Sequence, residues 1–94
     1  MDASLPGRID AALRQVLDPE IGRNLVDLGL IYGVEVADDA AVHIVMTTTT
    51  RGCPLSGFLK EAVATTVAAV GGVGSVDVAL TWDPPWTPAM SAPF

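Results

Sequence analysis

The stretch from Val42 to Val70 most constrains the fold, because it changes from strand-like to helix-like periodicity across one short turn. Its first part alternates, with Val42, Ile44 and Met46 on one face. Its second part carries apolar or small residues at helical spacing, namely Leu55, Phe58, Leu59, Ala62, Val63, Thr66, Val67 and Val70. A strand followed by an amphipathic helix predicts a right-handed crossover to a third strand that runs parallel to the first part.

Three further segments complete the predicted order. Residues 4–17 show one apolar stripe at helical spacing, with Ser4 as a helix cap. Leu30 to Val36 and Ala41 to Thr48 alternate as two strands, and Val73 to Trp82 alternates as the third. The sequence therefore predicts an α/β (α+β) fold of order helix-strand-strand-helix-strand, a three-stranded mixed sheet with both helices on one face.

The apolar faces of the first two strands predict their register. Aligning these faces pairs Val36 with Val42 and sets Glu35 opposite His43. This register requires an odd-length connection, such as a three-residue loop with a bulge. We therefore expect His43 on the outer face, in a solvated cross-strand pair with an acid, and not as a metal ligand.

Composition limits the classes of function. The chain has 94 residues, of which 50% are hydrophobic, and this length predicts one domain over residues 1–94. A net charge of −6 would repel a phosphate backbone, so no nucleic-acid partner is expected. The longest uncharged run is interrupted by Gly71-Gly72, so no membrane partner is expected. A single cysteine and no recognisable secretory signal predict a cytoplasmic location.

One thiol stands where the second helix is predicted to begin. Pro54 suits a first helical position, so Cys53 is expected at or near the N-cap. The positive end of the helix favours a thiolate, and Arg51 adds a cation. Cys53 is therefore a candidate metal ligand or nucleophile. The alternative is a small buried hydrophobe, which is common for a lone cysteine in an apolar chain.

Two groups of polar residues are candidates to line the same site. Asp18, Glu20 and Asp27 lie in a segment rich in turn residues, and paired carboxylates either bind metals and transfer protons or cap turns. The threonines Thr47 to Thr50 offer hydroxyls that could orient an anion or a cofactor sulfur, or they simply favour a strand. Gly52 is expected to allow a backbone shape that other residues resist.

Three motifs follow one another along the chain: DPEIGRNLVDLGLIYGVEV, TTTTRGCPL and WDPPWTPAMS. Their order and spacing closely resemble the SufT/PaaD-like metal–sulfur cluster biosynthesis family, small cytosolic proteins with an Fe–S cluster assembly domain. The resemblance covers about Ile9 to Ser91. It implies an accessory factor that matures or delivers iron–sulfur clusters rather than an enzyme with its own turnover. Some relatives serve multicomponent aromatic-ring oxygenases, so an oxygenase accessory protein is an alternative.

The resemblance also implies the site residues by position. It places the metal contact at Cys53 and a closing signature at residues 83–86. The expected site lining, which includes the residues that flank the thiol, is Asp18, Glu20, Asp27, Thr47, Thr49, Thr50, Arg51, Gly52 and Pro54.

One thiol per chain cannot enclose an iron–sulfur cluster, because such clusters are commonly held by four thiolates. We therefore expect only a labile, shared cluster or iron, with the missing ligands supplied by a homodimer, a client protein or a small thiol. Expected partners are Fe–S client or assembly proteins. Two other functions stay open: a thiol enzyme with Cys53 as nucleophile, and an adaptor that binds a client through its outer sheet face or its apolar tail.

Overall fold

A computed structural model describes residues 4–18, 21–48 and 56–91 of the chain. Its elements are α1 (Leu5–Leu13), β1 (Ile31–Val36), β2 (Ala41–Met46), α2 (Ser56–Ala68), β3 (Ser75–Leu80) and a short 3-10 helix (Pro88–Met90). The strands lie in the order β1-β2-β3, with β1 antiparallel and β3 parallel to β2. The predicted fold class, element order and mixed sheet are confirmed.

Helix α1 begins where its capping residue predicts but ends earlier than predicted. The Ser4 hydroxyl accepts a hydrogen bond from the Gly7 N–H at 3.3 Å, as an N-cap does. The helix ends at Leu13 rather than at residue 17. The reason lies beyond the helix: the Val16 carbonyl accepts a hydrogen bond from the Leu25 N–H at 3.0 Å, which directs the chain into a turn instead.

Helix α2 buries a narrower stripe than its sequence predicts. Leu59, Val63 and Val67, spaced four residues apart, are at most 2% exposed. Phe58 was predicted in the same stripe, but its side chain is 60% exposed, so that assignment is wrong. Adjacent helical residues lie about 100° apart, so a helix that faces the core with Leu59 turns Phe58 aside. No helix of the described residues is long and apolar enough to span a membrane.

The core lies between the two helices and the middle strand. Val42, Ile44 and Met46 occupy alternate positions of β2 and are at most 1% exposed. They form one cluster with Ile9 and Leu13 of α1 and with the buried stripe of α2. The period-two pattern of β2 therefore gives the core face that the sequence predicts.

The β1–β2 hairpin has the predicted register. Val36 pairs with Val42, and the Ala37 N–H donates to the Ala41 carbonyl at 2.9 Å. This bond closes a three-residue loop in which Ala40 has a φ of 64°, the left-handed conformation. The odd-length connection is confirmed.

Replacing Ala40 with glycine is expected to raise the free energy of unfolding by about 0.5–1 kcal/mol. A Cβ in the left-handed region costs about 1–2 kcal/mol, which exceeds the entropic cost of about 0.5–1 kcal/mol for a new glycine. Urea denaturation measures the difference. Ala37→Gly is the matched control, and since Ala37 does not have a positive φ, it should destabilise. A loss of stability in Ala40→Gly would contradict the prediction.

His43 has a different partner from the one predicted. Glu35 is opposite His43 in the register, as expected. The His43 Nδ1 atom, however, lies 2.8 Å from Oδ2 of Asp77, the residue in register on β3. The predicted acidic neighbour on the outer face is thus present, but the hydrogen bond is made to the parallel strand.

A β-bulge at the start of β1 reverses the predicted faces there. Ile31 pairs with Met46, and the register shifts before Gly33, which leaves Tyr32 as the extra residue. Ile31 therefore lies on the same face as Met46. Simple alternation from Leu30 to Val36 predicts instead that Tyr32 shares the apolar face with Val34 and Val36. The Tyr32 hydroxyl instead donates to the Pro84 carbonyl at 2.8 Å.

Candidate functional site

The segment predicted to carry the thiol chemistry is only partly described by the structure. Outside the described residues lie Glu20, Thr49, Thr50, Arg51, Gly52, Cys53 and Pro54. The described members of the predicted site are Asp18, Asp27 and Thr47. The contacts of these three residues show what the segment with Asp18 and Asp27 and the run of threonines contribute to the fold.

Two buried threonines continue the chain past the end of β2. Thr47 and Thr48 are 0% and 2% exposed. The Thr47 N–H donates to the Leu30 carbonyl at 2.8 Å, and the Thr48 hydroxyl accepts from the Trp82 indole N–H at 3.1 Å. The Thr47 hydroxyl donates to the Thr48 carbonyl at 3.4 Å. The chain therefore leaves Thr48 from a fixed, buried position.

The sequence offers Thr48 as one of four candidate hydroxyls, but the expected site lining omits it. Met46 is in register with Leu80, an offset of 34 residues, and the same offset sets Thr48 level with Trp82. The apolar patterns predict that β2 and β3 are parallel. They do not predict the offset between them, so the threonine–tryptophan contact could not be read from the sequence.

Asp18 closes a tight turn after α1. Its side chain is 5% exposed, and Oδ1 accepts a hydrogen bond from the Ile21 N–H at 3.3 Å. Its carbonyl accepts from the Gly22 N–H at 2.7 Å, and its own N–H donates to the Arg23 carbonyl at 2.9 Å. This geometry is that of a turn-forming aspartate, the alternative that the sequence left open.

Asp27 belongs to a charged network that reaches back to α1. Its Oδ1 accepts from Arg14 Nη1 and its Oδ2 from Asn24 Nδ2, both at 2.9 Å. Arg14 also donates through Nε to Asp10 at 3.0 Å. The hydrogen bond and charge of Asp10, followed by those of Asp27, raise the pKa of the Arg14 guanidinium. Each carboxylate oxygen of Asp27 therefore already accepts a hydrogen bond. A metal ion that bound either oxygen would have to compete with that donor.

Backbone hydrogen bonds connect this acidic segment to the threonines. The Leu25 N–H donates to Val16, and the Leu30 N–H donates to the Leu25 carbonyl, each at 3.0 Å. The Leu30 carbonyl then accepts from Thr47. The turn that contains Asp27 is thus attached to the end of β2.

The C-terminal segment returns to the same place. The Trp86 indole N–H donates to the Leu28 carbonyl at 2.6 Å, and Trp86 packs against the core, as the apolar composition of the tail predicts. The Met90 carbonyl lies against Gly29 so closely that no Cβ would fit there. Described residues from each of the three motifs therefore meet at one end of the sheet, beside the carboxyl ends of β2 and β3.

Comparison with known proteins identifies the family. A family described as "Iron-sulfur cluster assembly protein" matches residues 7–78. The chain belongs to this family. The predicted resemblance to SufT-like proteins is thereby confirmed.

Two relatives and one solved structure illustrate the similarity. The chain is 41% identical to the Fe-S protein maturation auxiliary factor YitW of Bacillus subtilis, over 93% of this chain and 85% of YitW. It is 37% identical to the Fe-S protein maturation auxiliary factor SufT of Staphylococcus aureus, over 84% of this chain and 90% of SufT. A conserved hypothetical protein from Thermotoga maritima has the same fold, with a TM-score of 0.83 and 39% identity over 93% of this chain and 85% of that protein.

The described residues of this family member do not by themselves form a metal centre. Across residues 4–18, 21–48 and 56–91, no three His, Cys, Asp or Glu side chains are grouped so as to hold a metal ion. A site with three such ligands from this chain would have to include a residue outside those ranges.

Proposed function

We propose that this chain is an accessory factor for iron–sulfur cluster assembly or for cluster transfer to client proteins, with Cys53 as a transient contact to iron or sulfide. The observation that carries the proposal is the family match over residues 7–78, a range that includes Cys53. Relatives named as maturation auxiliary factors favour an accessory role over that of a turnover enzyme.

The described surroundings of the thiol segment support this role. Thr48 precedes the segment and is buried against Trp82. Ser56 follows it and begins a helix of 13 residues, which Leu59 anchors in the core. The start of such a helix carries free N–H groups and the positive end of the helix dipole. In this proposal these groups stabilise the thiolate of Cys53, three residues earlier in the chain.

The cluster is cargo in this proposal. Four thiolates commonly hold a cluster, and this chain has one cysteine. The remaining ligands come from a client, an assembly protein, a second chain or a small thiol. A cluster held this way is released by exchange of thiolate ligands, which suits delivery better than storage.

Anaerobic reconstitution with ferrous iron and sulfide, with and without an apo-ferredoxin as client, tests the proposal. The wild-type chain is expected to develop thiolate-to-iron absorption in the visible range and to speed cluster formation on the client. Cys53→Ser is expected to lose both, because serine removes the soft sulfur ligand. Thermal unfolding followed by circular dichroism checks that the variant remains folded.

A relocated thiol is the matched control. Combining Cys53→Ser with Ser75→Cys keeps one cysteine per chain but moves it to an exposed position at the start of β3, the opposite end of the sheet from Thr48. This variant should not recover either signal. Equal activity of the relocated thiol would show non-specific iron binding, and no iron uptake by the wild type, alone or with the client, would refute the proposal.

A further inference from the structure

We propose that the free edge of β1, together with the apolar groove beside it, binds an extended segment of a partner protein in which apolar residues alternate with lysine or arginine. The segment adds a strand to the sheet. The proposal does not depend on cluster chemistry. Its strand edge runs from Gly33 to Val36, towards the hairpin loop and away from the end of the sheet where the three motifs meet, and the groove extends along β1 as far as Ile31 and Val26.

The first observation is an unpaired strand edge. β1 is the outer strand of the order β1-β2-β3. Because Ala37 bonds to Ala41 across the hairpin, the residues of β1 that bond to β2 alternate from there, and Val34 and Val36 direct their N–H and C=O groups away from β2. Among the described residues, no segment outside the hairpin donates a backbone hydrogen bond to Val34 or Val36 or accepts one from them. An exposed edge of this kind is a template for an added strand.

The second observation is a groove directly below that edge. It has a volume of about 420 Å³ and is lined by Ile9 and Leu13 of α1, by Val26, and by Val34 and Val36 of β1, with Asp10 also in its wall. Val34 is 38% exposed as a result. The groove exists because α1 packs chiefly against α2 and leaves the core face of β1 partly uncovered. Every second side chain of an added strand would enter it.

The described part of the C-terminal segment, which ends at Ser91, leaves this length of β1 open. Its contacts near β1 are with Tyr32 and with residues 28–29, at the start of the strand. On the outer face, nothing lies within 4 Å of the position that a Cβ of Gly33 would take. The free edge therefore runs from Gly33 to Val36 and ends at the hairpin loop.

The charge around the edge selects the occupant. Glu35 is exposed on β1 itself, and Asp38 and Asp39 follow in the loop. Within the described residues, neither Glu35 nor Asp38 has a cationic partner. A second copy of this chain, itself carrying a net charge of −6, would bring like charges together across the new strand pair, which is destabilising. A segment with lysine or arginine on its outer face would be attracted instead.

A capped heptapeptide of alternating lysine and valine, with lysine at both ends, is the probe, titrated into the full ¹⁵N-labelled chain and followed by NMR. The amide signals of residues 33–36 and of Val26 are expected to shift, with a dissociation constant that rises with salt. A peptide with glutamate in place of lysine should not bind. Replacing the central valine by proline should prevent binding, because proline cannot donate the strand hydrogen bond.

Two variants, each with one negative charge removed, test whether the peptide binds at β1. Glu35→Gln is expected to weaken the lysine peptide about two- to fivefold, the range of a single cross-strand pair. Glu61→Gln removes the same charge from an exposed position on α2 and should leave the affinity nearly unchanged. Equal effects of the two variants would overturn the assignment to β1.

Three other results would also overturn the proposal. The first is no shift in residues 33–36, or shifts confined to β3. The second is a concentration-dependent dimer that moves the same signals without peptide, because the occupant would then be a second copy. The third is binding only after deletion of residues 1–3, because the chain's own N-terminal segment would then fill the groove. None of these experiments involves iron, so they fail or succeed independently of the proposed cluster role.

Discussion

Gly29→Ala is expected to lower the free energy of unfolding by about 2–5 kcal/mol. Gly29 has a φ of 75°, and an L-residue there costs about 1–2 kcal/mol. The new Cβ would also overlap the Met90 carbonyl, so the C-terminal segment would have to move. That movement would endanger the bonds from Trp86 to Leu28 and from Tyr32 to Pro84, each worth about 0.5–1.5 kcal/mol. Urea denaturation followed by tryptophan fluorescence measures the loss.

Two other glycines separate the cost of the positive φ from the cost of the overlap with Met90. Gly22 has a φ of 80° but nothing within 4 Å of its virtual Cβ, so Gly22→Ala should lose only the conformational part, about 1–2 kcal/mol. Gly33 has neither a positive φ nor a close neighbour, so Gly33→Ala should change stability little. If Gly29→Ala and Gly22→Ala were equally destabilising, the C-terminal segment would not press on Gly29 as described.

Leu59→Ala is expected to destabilise the protein by about 2–5 kcal/mol, the usual cost of truncating a buried leucine. Leu59 is 2% exposed and belongs to the hydrophobic core. The matched control is its neighbour Phe58, which is larger but 60% exposed. Phe58→Ala should stay within about 0.5 kcal/mol of the wild type, as is usual for surface positions. A greater loss in Phe58→Ala than in Leu59→Ala would show that the helix faces the core differently.

Local patterns were sufficient for the strand order and the hairpin register. Alternation in β2 sets the core face, and aligning Val36 with Val42 sets the loop length, so neither needs information from distant residues. Distant contacts decide what the sequence could not predict. Helix α1 ends early because Val16 bonds to Leu25. Tyr32 does not lie on its predicted face, and its hydroxyl bonds instead to the carbonyl of Pro84, 52 residues away.

The candidate site shows the same difference between features that local patterns predict and features that depend on contacts elsewhere in the chain. The apolar composition of the tail predicts the return of Trp86 to the domain, and Trp86 does pack against the core. The burial of Thr47 is not predicted, because a run of threonines fits either a strand or a set of site hydroxyls. The motifs could not tell a turn-forming carboxylate from a metal ligand at Asp18, because both uses place an oxygen among polar groups. They also gave no sign that Asp27 binds Arg14, 13 residues earlier. The metal contact at Cys53 stays a prediction.

The bond between Trp86 and Leu28 joins residues 58 positions apart. During synthesis, the residues of β1 are therefore made well before Trp86, whose contact with Leu28 covers the start of that strand. Closing so large a loop is entropically costly until many contacts form together, and uncovered apolar surface in the meantime favours aggregation. Translation that stalls before Trp82 should consequently yield a chaperone client rather than a smaller folded unit.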